Sequence, residues 1–186
     1  MSSPYPNLVD SPATPEITCA TPLEEEVVSH YDLLREPLLR YLMSLGLPIA
    51  DGEEVVQEVF LALFQHLRRD GSRANLRGWL FRVAHNLGLR RRHRTRRDSI
   101  GELPGEARDV VRDPAPGPEE QLLTGEAQRR MQAVLQALPE QDRRCVTLRA
   151  EGLRYRDIAG VLAMSLGAVS LSLSRSLARI ARAAQR

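Results

Sequence analysis

Apolar residues recur along this chain with a helical period. Leu76, Trp79, Leu80, Val83, Ala84 and Leu87 follow the i, i+3, i+4, i+7 spacing that gathers side chains on one helix face. Upstream, Tyr31, Leu34, Leu38, Tyr41, Leu42 and Leu45 predict a helix from about Glu25, with Pro37 expected to kink it or start a second one and Gly46 and Pro48 closing it. Val56, Val59, Phe60, Leu63 and Leu67 form the stripe of a further helix opening at Asp51-Gly52-Glu53-Glu54. There Asp51 is placed to cap free backbone N–H groups and Glu54 to reach back. The turn residues Gly71, Ser72 and Asn75 separate this helix from the one that starts near Leu76.

The second half repeats the pattern. A helix from about Glu119 to Leu138 has Leu122, Leu123, Ala127, Met131, Val134, Leu135 and Leu138 on its apolar positions. Pro139 breaks it and suits the first position of the next, which runs through Arg144, Val146, Leu148 and Arg149 to Glu151 and Gly152. Tyr155 to Ala163 form a short helix, Met164-Ser165 a tight turn with Ser165 as N-cap, and Leu166 to Ala184 a last helix expected to bury Leu166, Val169, Leu173, Leu177 and Ile180. A short helix, a tight turn and a capped second helix match the helix-turn-helix.

The fold class is therefore all-α: two small helical domains joined by a flexible linker, the C-terminal one containing a helix-turn-helix. Residues 99–120 hold Gly101, Pro104, Gly105, Pro114, Pro116, Gly117 and Pro118, as a linker does. Residues 1–25, with five prolines among Ser, Thr and Glu, read as a disordered tail. The domains then span 26–98 and 121–186.

Charge sharpens this division. The formal net charge is only +2, but residues 26–98 hold thirteen arginines against nine acids, and 121–186 hold eleven against five. The linker between them holds six acids against two arginines. All 26 basic residues are arginine, whose planar fork suits phosphate, although a GC-rich genome gives the same bias. At 100° per residue, Arg90 and Arg91 fall on the apolar face that begins at Leu76. Guanidinium groups are not buried without partners, so that helix is expected to leave the core near Leu89 and present its arginines to solvent, to anionic lipid or to nucleic acid. On the preceding helix Glu53, Glu54, Gln57 and Glu58 form an acidic outer face, either for capping and solubility or for docking a basic partner helix.

Chemistry of other kinds is sparse. Cys19 and Cys145 lack metal-ligand or disulfide spacing, and Cys145 reads as a small core residue. His30, His66, His85 and His93 are scattered, with no nucleophile–base pair, phosphate loop or metal cluster, so no enzyme, cofactor or metal is expected. No apolar run approaches the ~18–20 residues that cross a bilayer, and no secretion signal opens the chain, so a cytoplasmic protein without membrane insertion is expected.

Two stretches together resemble the extracytoplasmic-function sigma factors of bacterial RNA polymerase. One is Asp51-Gly52-Glu53-Glu54-Val55-Val56-Gln57-Glu58-Val59-Phe60 followed by Gly78-Trp79-Leu80-Phe81-Arg82-Val83-Ala84-His85-Asn86-Leu87. The other runs from Leu138-Pro139-Glu140-Gln141-Asp142-Arg143-Arg144 through 148–159 to Ser165-Leu166-Gly167-Ala168-Val169. The resemblance spans about residues 26–186, in the family's order and spacing. It implies that Asp51, Glu54, Gln57 and Glu58 dock on core polymerase. For promoter DNA at the minus-ten element it implies Arg73, Asn75, Arg82, His85, Asn86, Arg90, Arg91 and Arg92, with Trp79 in the core. For the minus-thirty-five element it implies Arg154, Tyr155, Ser165, Ala168, Ser170, Ser172, Arg175 and Arg179. An anti-sigma factor is a candidate further partner.

Two departures stand out. The loop before Trp79 lacks the aromatic usual in the family, and the recognition helix reads Ser170-Leu171-Ser172-Leu173-Ser174 before its first arginine, Arg175. Serines still bond bases or phosphates, but the electrostatic contribution there is smaller. Competing readings are a helix-turn-helix regulator that works without being a polymerase subunit, which leaves the acidic face of 51–58 unexplained, and a decoy module with a weakened DNA reader.

Overall fold

Thr21 opens the first helix with a capping box: its Oγ1 accepts from the Glu24 backbone N–H at 3.3 Å, and the Glu24 carboxylate accepts from the Thr21 N–H at 2.7 Å. The computed structural model describes residues 21–98, 129 and 131–184. They form α1 (Pro22–Ser44), α2 (Ile49–Arg68), α3 (Leu76–Asp98), α4 (131–136), α5 (Glu140–Ala150), α6 (Tyr155–Leu162) and α7 (Leu166–Ala184). The expected linker at 99–120 and the segment before Thr21 lie outside the described residues. The helix expected from about Glu119 is described only at 129 and 131–136.

Two local expectations change. Pro37 neither ends nor divides α1, which runs through it. The carbonyl deprived of its i+4 donor belongs to Leu33, whose 69% exposure places it where solvent can satisfy it. Asp51 does not cap α2. The helix starts one turn earlier, behind Pro48, without a side-chain cap bond. Asp51 lies in its first turn and turns to Arg91 instead.

α1, α2 and α3 pack as one bundle around Leu38, Tyr41, Leu42, Val55, Val59, Leu63, Leu80 and Phe81, each essentially inaccessible. A fully buried side chain of this size stabilises by about 1.5–3 kcal/mol, so the stripes of α1 and α2 alone account for a substantial core. Gly88 sets the closeness of α1 and α3: a Cβ there would stand 2.7 Å from Leu42 Cδ2.

In the C-terminal part, Cys145, Leu148, Leu153, Ile158, Val161, Val169 and Leu173 are buried between α5, α6 and α7. Burial also pushes the Cys145 thiol pKa up, as befits a core residue. Ala163 takes the left-handed conformation (φ 52°) that ends α6, and Ser165 Oγ accepts from the Ala168 N–H at 3.1 Å to start α7. The axes of α6 and α7 meet at 107°, within the range of a helix-turn-helix. Leu166 and Leu177, expected inside, are half exposed, and Ser172 and Ser176 are buried in their stead.

The two bundles share a core. α3 packs along α6, α1 touches α5, and one apolar cluster runs through both. Among the described residues no single helix is long and apolar enough to cross a membrane.

Candidate nucleic-acid interface

The geometry of α3 follows from what covers it. Leu76, Leu80 and Ala84 face α1 and α2 as the periodicity requires, with Trp79, Val83 and Leu87 partly buried beside them. The buried arc also takes in Gly78, Phe81, His85 and Gly88; Tyr41 of α1 lies against Phe81 and His85, and Leu42 of α1 lies against Gly88. What remains open is a row at i, i+4 and i+8: Arg82, Asn86 and Arg90. Arg90 has no ion-pair partner among the described residues.

Arg91 and Arg92, next in the run, are already paired. Arg91 donates to Asp51 Oδ1 at 2.9 Å and also bonds Glu54, and those hydrogen bonds hold its pKa above the usual guanidinium value. Arg92 and Arg144 both donate to Glu140 at 2.6 Å, which holds that carboxyl below its ordinary pKa. Arg73 lies 3.1 Å from Glu26. The arginines beyond Arg92 on α3 stand in solvent.

His85 departs from expectation. It is 6% exposed, and its Nδ1 lies 2.8 Å from the Tyr41 hydroxyl. Burial, with the Arg144 guanidinium nearby, lowers its pKa from 6.5 to about 4, so the ring is neutral at pH 7. Burial likewise pushes the Tyr41 hydroxyl pKa up. Trp79 is partly buried, with His66 stacked on it at 4.7 Å.

The second basic surface is the helix-turn-helix. α7 exposes Ser170, Leu171, Ser174, Arg175 and Arg179, and α6 begins beside exposed Arg154 and Tyr155. A third surface, on α2, exposes Glu53, Glu54, Gln57 and Glu58. A basic helix face, an acidic helix face and a helix-turn-helix thus occur in one chain.

The Sigma-70 region 2 family model matches residues 27–98, and the Sigma-70 region 4 model matches residues 128–180. An extracytoplasmic-function RNA polymerase sigma-E factor from Haemophilus influenzae is 30% identical over 148 residues, 75% of each chain. The chain belongs to the extracytoplasmic-function sigma factors.

Other relatives agree with this placement. A probable RNA polymerase sigma factor, RfaY, from Xanthomonas campestris is 34% identical over 139 residues, 71% of this chain. The chain spans only 34% of that relative's length. The solved structure of the sigma factor RpoE in complex with the anti-sigma factor NepR from Bartonella quintana has the same fold, with a TM-score of 0.62 at 22% identity. That likeness covers 87% of this chain and 98% of the other.

In a sigma factor the region 2 and region 4 surfaces have separate tasks, and the named residues divide unevenly between them. Of the four residues expected to face polymerase, Gln57 and Glu58 are exposed, Glu54 is exposed but shared with Arg91, and Asp51 is half buried in that ion pair. Of the eight expected at the minus-ten element, Arg82, Asn86 and Arg90 form one open row. Arg73, Asn75, Arg91 and Arg92 are engaged by other side chains of the sigma factor, and His85 is interior. At region 4, Ser165 serves as cap, Ala168 is half buried, and Arg154, Tyr155, Ser170, Arg175 and Arg179 are exposed. Ser172 is not a surface residue: it is 2% exposed and donates to Asp142 Oδ1 at 2.6 Å. The sequence pattern missed Asp157, whose role depends on Asn75, 82 residues away. Only its place three residues after Arg154, where an acid caps a helix start, was a signal.

Proposed function

We propose that this chain binds core RNA polymerase and directs promoter-specific initiation of transcription. The observation that supports this best is the order of the three surfaces: an acidic α2, the exposed Arg82–Asn86–Arg90 row on α3, and a helix-turn-helix with a 107° corner. A regulator acting alone would need the last of these and has no use for the first. Gln57 and Glu58, with Glu54, meet the polymerase. The α3 row and the loop before it engage the minus-ten region as the strands part, and α7 lies in the major groove upstream. DNA opening is driven by binding energy within the assembled polymerase.

The near-neutral start of α7 supports a larger share of the DNA affinity for α3 than for the recognition helix. Each phosphate neutralised contributes to the salt dependence of binding, so the arginine-rich element dominates that slope. An anti-sigma factor is the natural further partner, as the complex of RpoE with NepR illustrates for a chain of the same fold.

Polymerase binding is tested by co-purification with core enzyme. Wild-type chain is expected to co-elute with core, and Glu58→Arg to lose that association while keeping its helical content. Equal retention of both chains, or of neither, contradicts the assignment of α2.

A further inference from the structure

The loop between α2 and α3 is polar and mostly exposed, yet one side chain ties it down. His66, in the last turn of α2, bonds the Ser72 carbonyl through its Nε2 at 3.0 Å. A carbonyl only accepts, so Nε2 carries the proton and donates. The same ring stacks on Trp79 of α3, with centroids 4.7 Å apart and planes at 26°. Gly71 lies directly against it: a Cβ there would stand 2.3 Å from His66 Cε1 and 2.5 Å from each ring nitrogen. The Gly71 N–H also donates to the His66 carbonyl, at 2.9 Å. One histidine thus joins the end of α2, the middle of the loop and the first turn of α3.

We propose that His66 is a positioning residue for strand capture: through Ser72 and Trp79 it holds loop 69–75 in one conformation at the head of the Arg82–Asn86–Arg90 row, so that the melted strand meets a preformed surface. The inference rests on the sigma-factor reading, in which this loop and the α3 row meet the minus-ten region, and deepens it by naming the group that shapes the loop.

The physical case starts from what the loop lacks. It offers no apolar side chain larger than that of Ala74 to fold upon. Asp70 and Asn75 take left-handed φ values of 55° and 56°, which residues other than glycine hold only when their surroundings impose them. Asn75 is held by its cap on α3, where its Oδ1 accepts from the Gly78 N–H. Towards the α2 end, the His66 ring is what the loop packs on. A loop ordered at the moment of binding costs conformational entropy then, whereas one ordered on folding has met that cost beforehand. A strand that needs one loop conformation binds more weakly by the fraction of time that conformation is populated. His66 acts through the loop, because its N–H is spent on Ser72 and a ring face on Trp79.

The test uses the full chain assembled with core polymerase, on promoters selected by runoff transcription from a genomic library. Promoter opening is read by permanganate reactivity of unpaired thymines, and loop order by amide hydrogen exchange over residues 69–75. His66→Phe keeps a ring on Trp79 but removes the donor, and Gly71→Ala drives a Cβ into the ring. Both are expected to lower opening about tenfold and to speed exchange in the loop. His66→Gln keeps an N–H donor for Ser72 and is expected to stay within about threefold of wild type in opening. All three are expected to co-purify with core as wild type does, because Gln57 and Glu58 are untouched. Wild-type opening by His66→Phe, equal losses in His66→Gln and His66→Phe, or losses that follow weakened core association in all three would overturn the positioning role. A wild-type chain that opens no promoter would remove the sigma-factor reading itself, and the positioning role with it.

Discussion

One side chain joins two helix starts. Asn75, at φ 56°, accepts from the Gly78 N–H with its Oδ1 at 3.3 Å and so caps α3. Its amide nitrogen donates to Asp157, whose other oxygen accepts from the Arg154 N–H at 3.2 Å and caps α6. Region 2 and region 4 thus meet through a shared cap, and the two ends of that bond respond differently to substitution.

Asn75→Asp keeps an acceptor for α3 and tolerates the left-handed backbone, but sets a carboxylate against Asp157. The far-UV circular dichroism is expected to stay unchanged while X-ray scattering reports a larger particle. Asn75→Ala removes the cap as well and is expected to cost about 1–2 kcal/mol in urea denaturation.

Ser172 separates a core role from a DNA role. Ser172→Ala leaves the half-satisfied Asp142 in a buried setting and is expected to lower stability by about 1–2 kcal/mol. Promoter choice is expected to be unchanged at a temperature where the variant is folded. Ser170→Ala, on the exposed face, is expected to do the reverse. A change of promoter preference in the Ser172 variant alone would contradict the burial.

The arginine run divides by partner. Arg82→Ala and Arg90→Ala are expected to leave the melting temperature unchanged and to reduce promoter opening, read by permanganate reactivity of the melted strand. Arg91→Ala is expected to lower the melting temperature instead, because it strips a half-buried Asp51 of its partner. The combined Arg82 and Arg90 change is expected to exceed that of Arg175→Ala/Arg179→Ala, which act on the weaker DNA reader. The reverse ranking would place the affinity in region 4.

His85 gives the stability a pH limb. Its pKa falls from 6.5 in the unfolded chain to about 4 in the folded one, so between those values the unfolded chain holds a proton that the folded chain lacks. Stability therefore falls as pH drops from 6.5 towards 4, by about 2–3 kcal/mol from this group at pH 4.5. Urea denaturation of wild type and His85→Phe at pH 7 and pH 4.5 is expected to show the smaller acid loss in the variant. Identical losses would mean that the ring is accessible to protons when folded.

Local pattern made much of the fold legible. The stripe of α2, from Val56 to Leu67, is buried as its spacing requires, and Ser165 caps α7 as its place in the turn requires. What failed was non-local. Phe81 and His85 lie away from the expected face of α3, and Tyr41 of α1 packs against both rings. The family resemblance places Ser172 among the residues that meet DNA, yet α5 supplies Asp142 as its partner. Arg91 continues the apolar face as the periodicity says, and it is tolerated there because α2 presents Asp51 and Glu54. In each case the deciding residue lies 30 or more positions away. Periodicity within one helix reports which face is apolar but not what covers the rest.

The central claim is most directly tested by runoff transcription with purified core polymerase and this chain on a genomic promoter library. Discrete transcripts sharing upstream elements, lost on Glu58→Arg and weakened on Arg82→Ala, are the predicted result. Core polymerase that gives the same transcripts with and without the chain would contradict it.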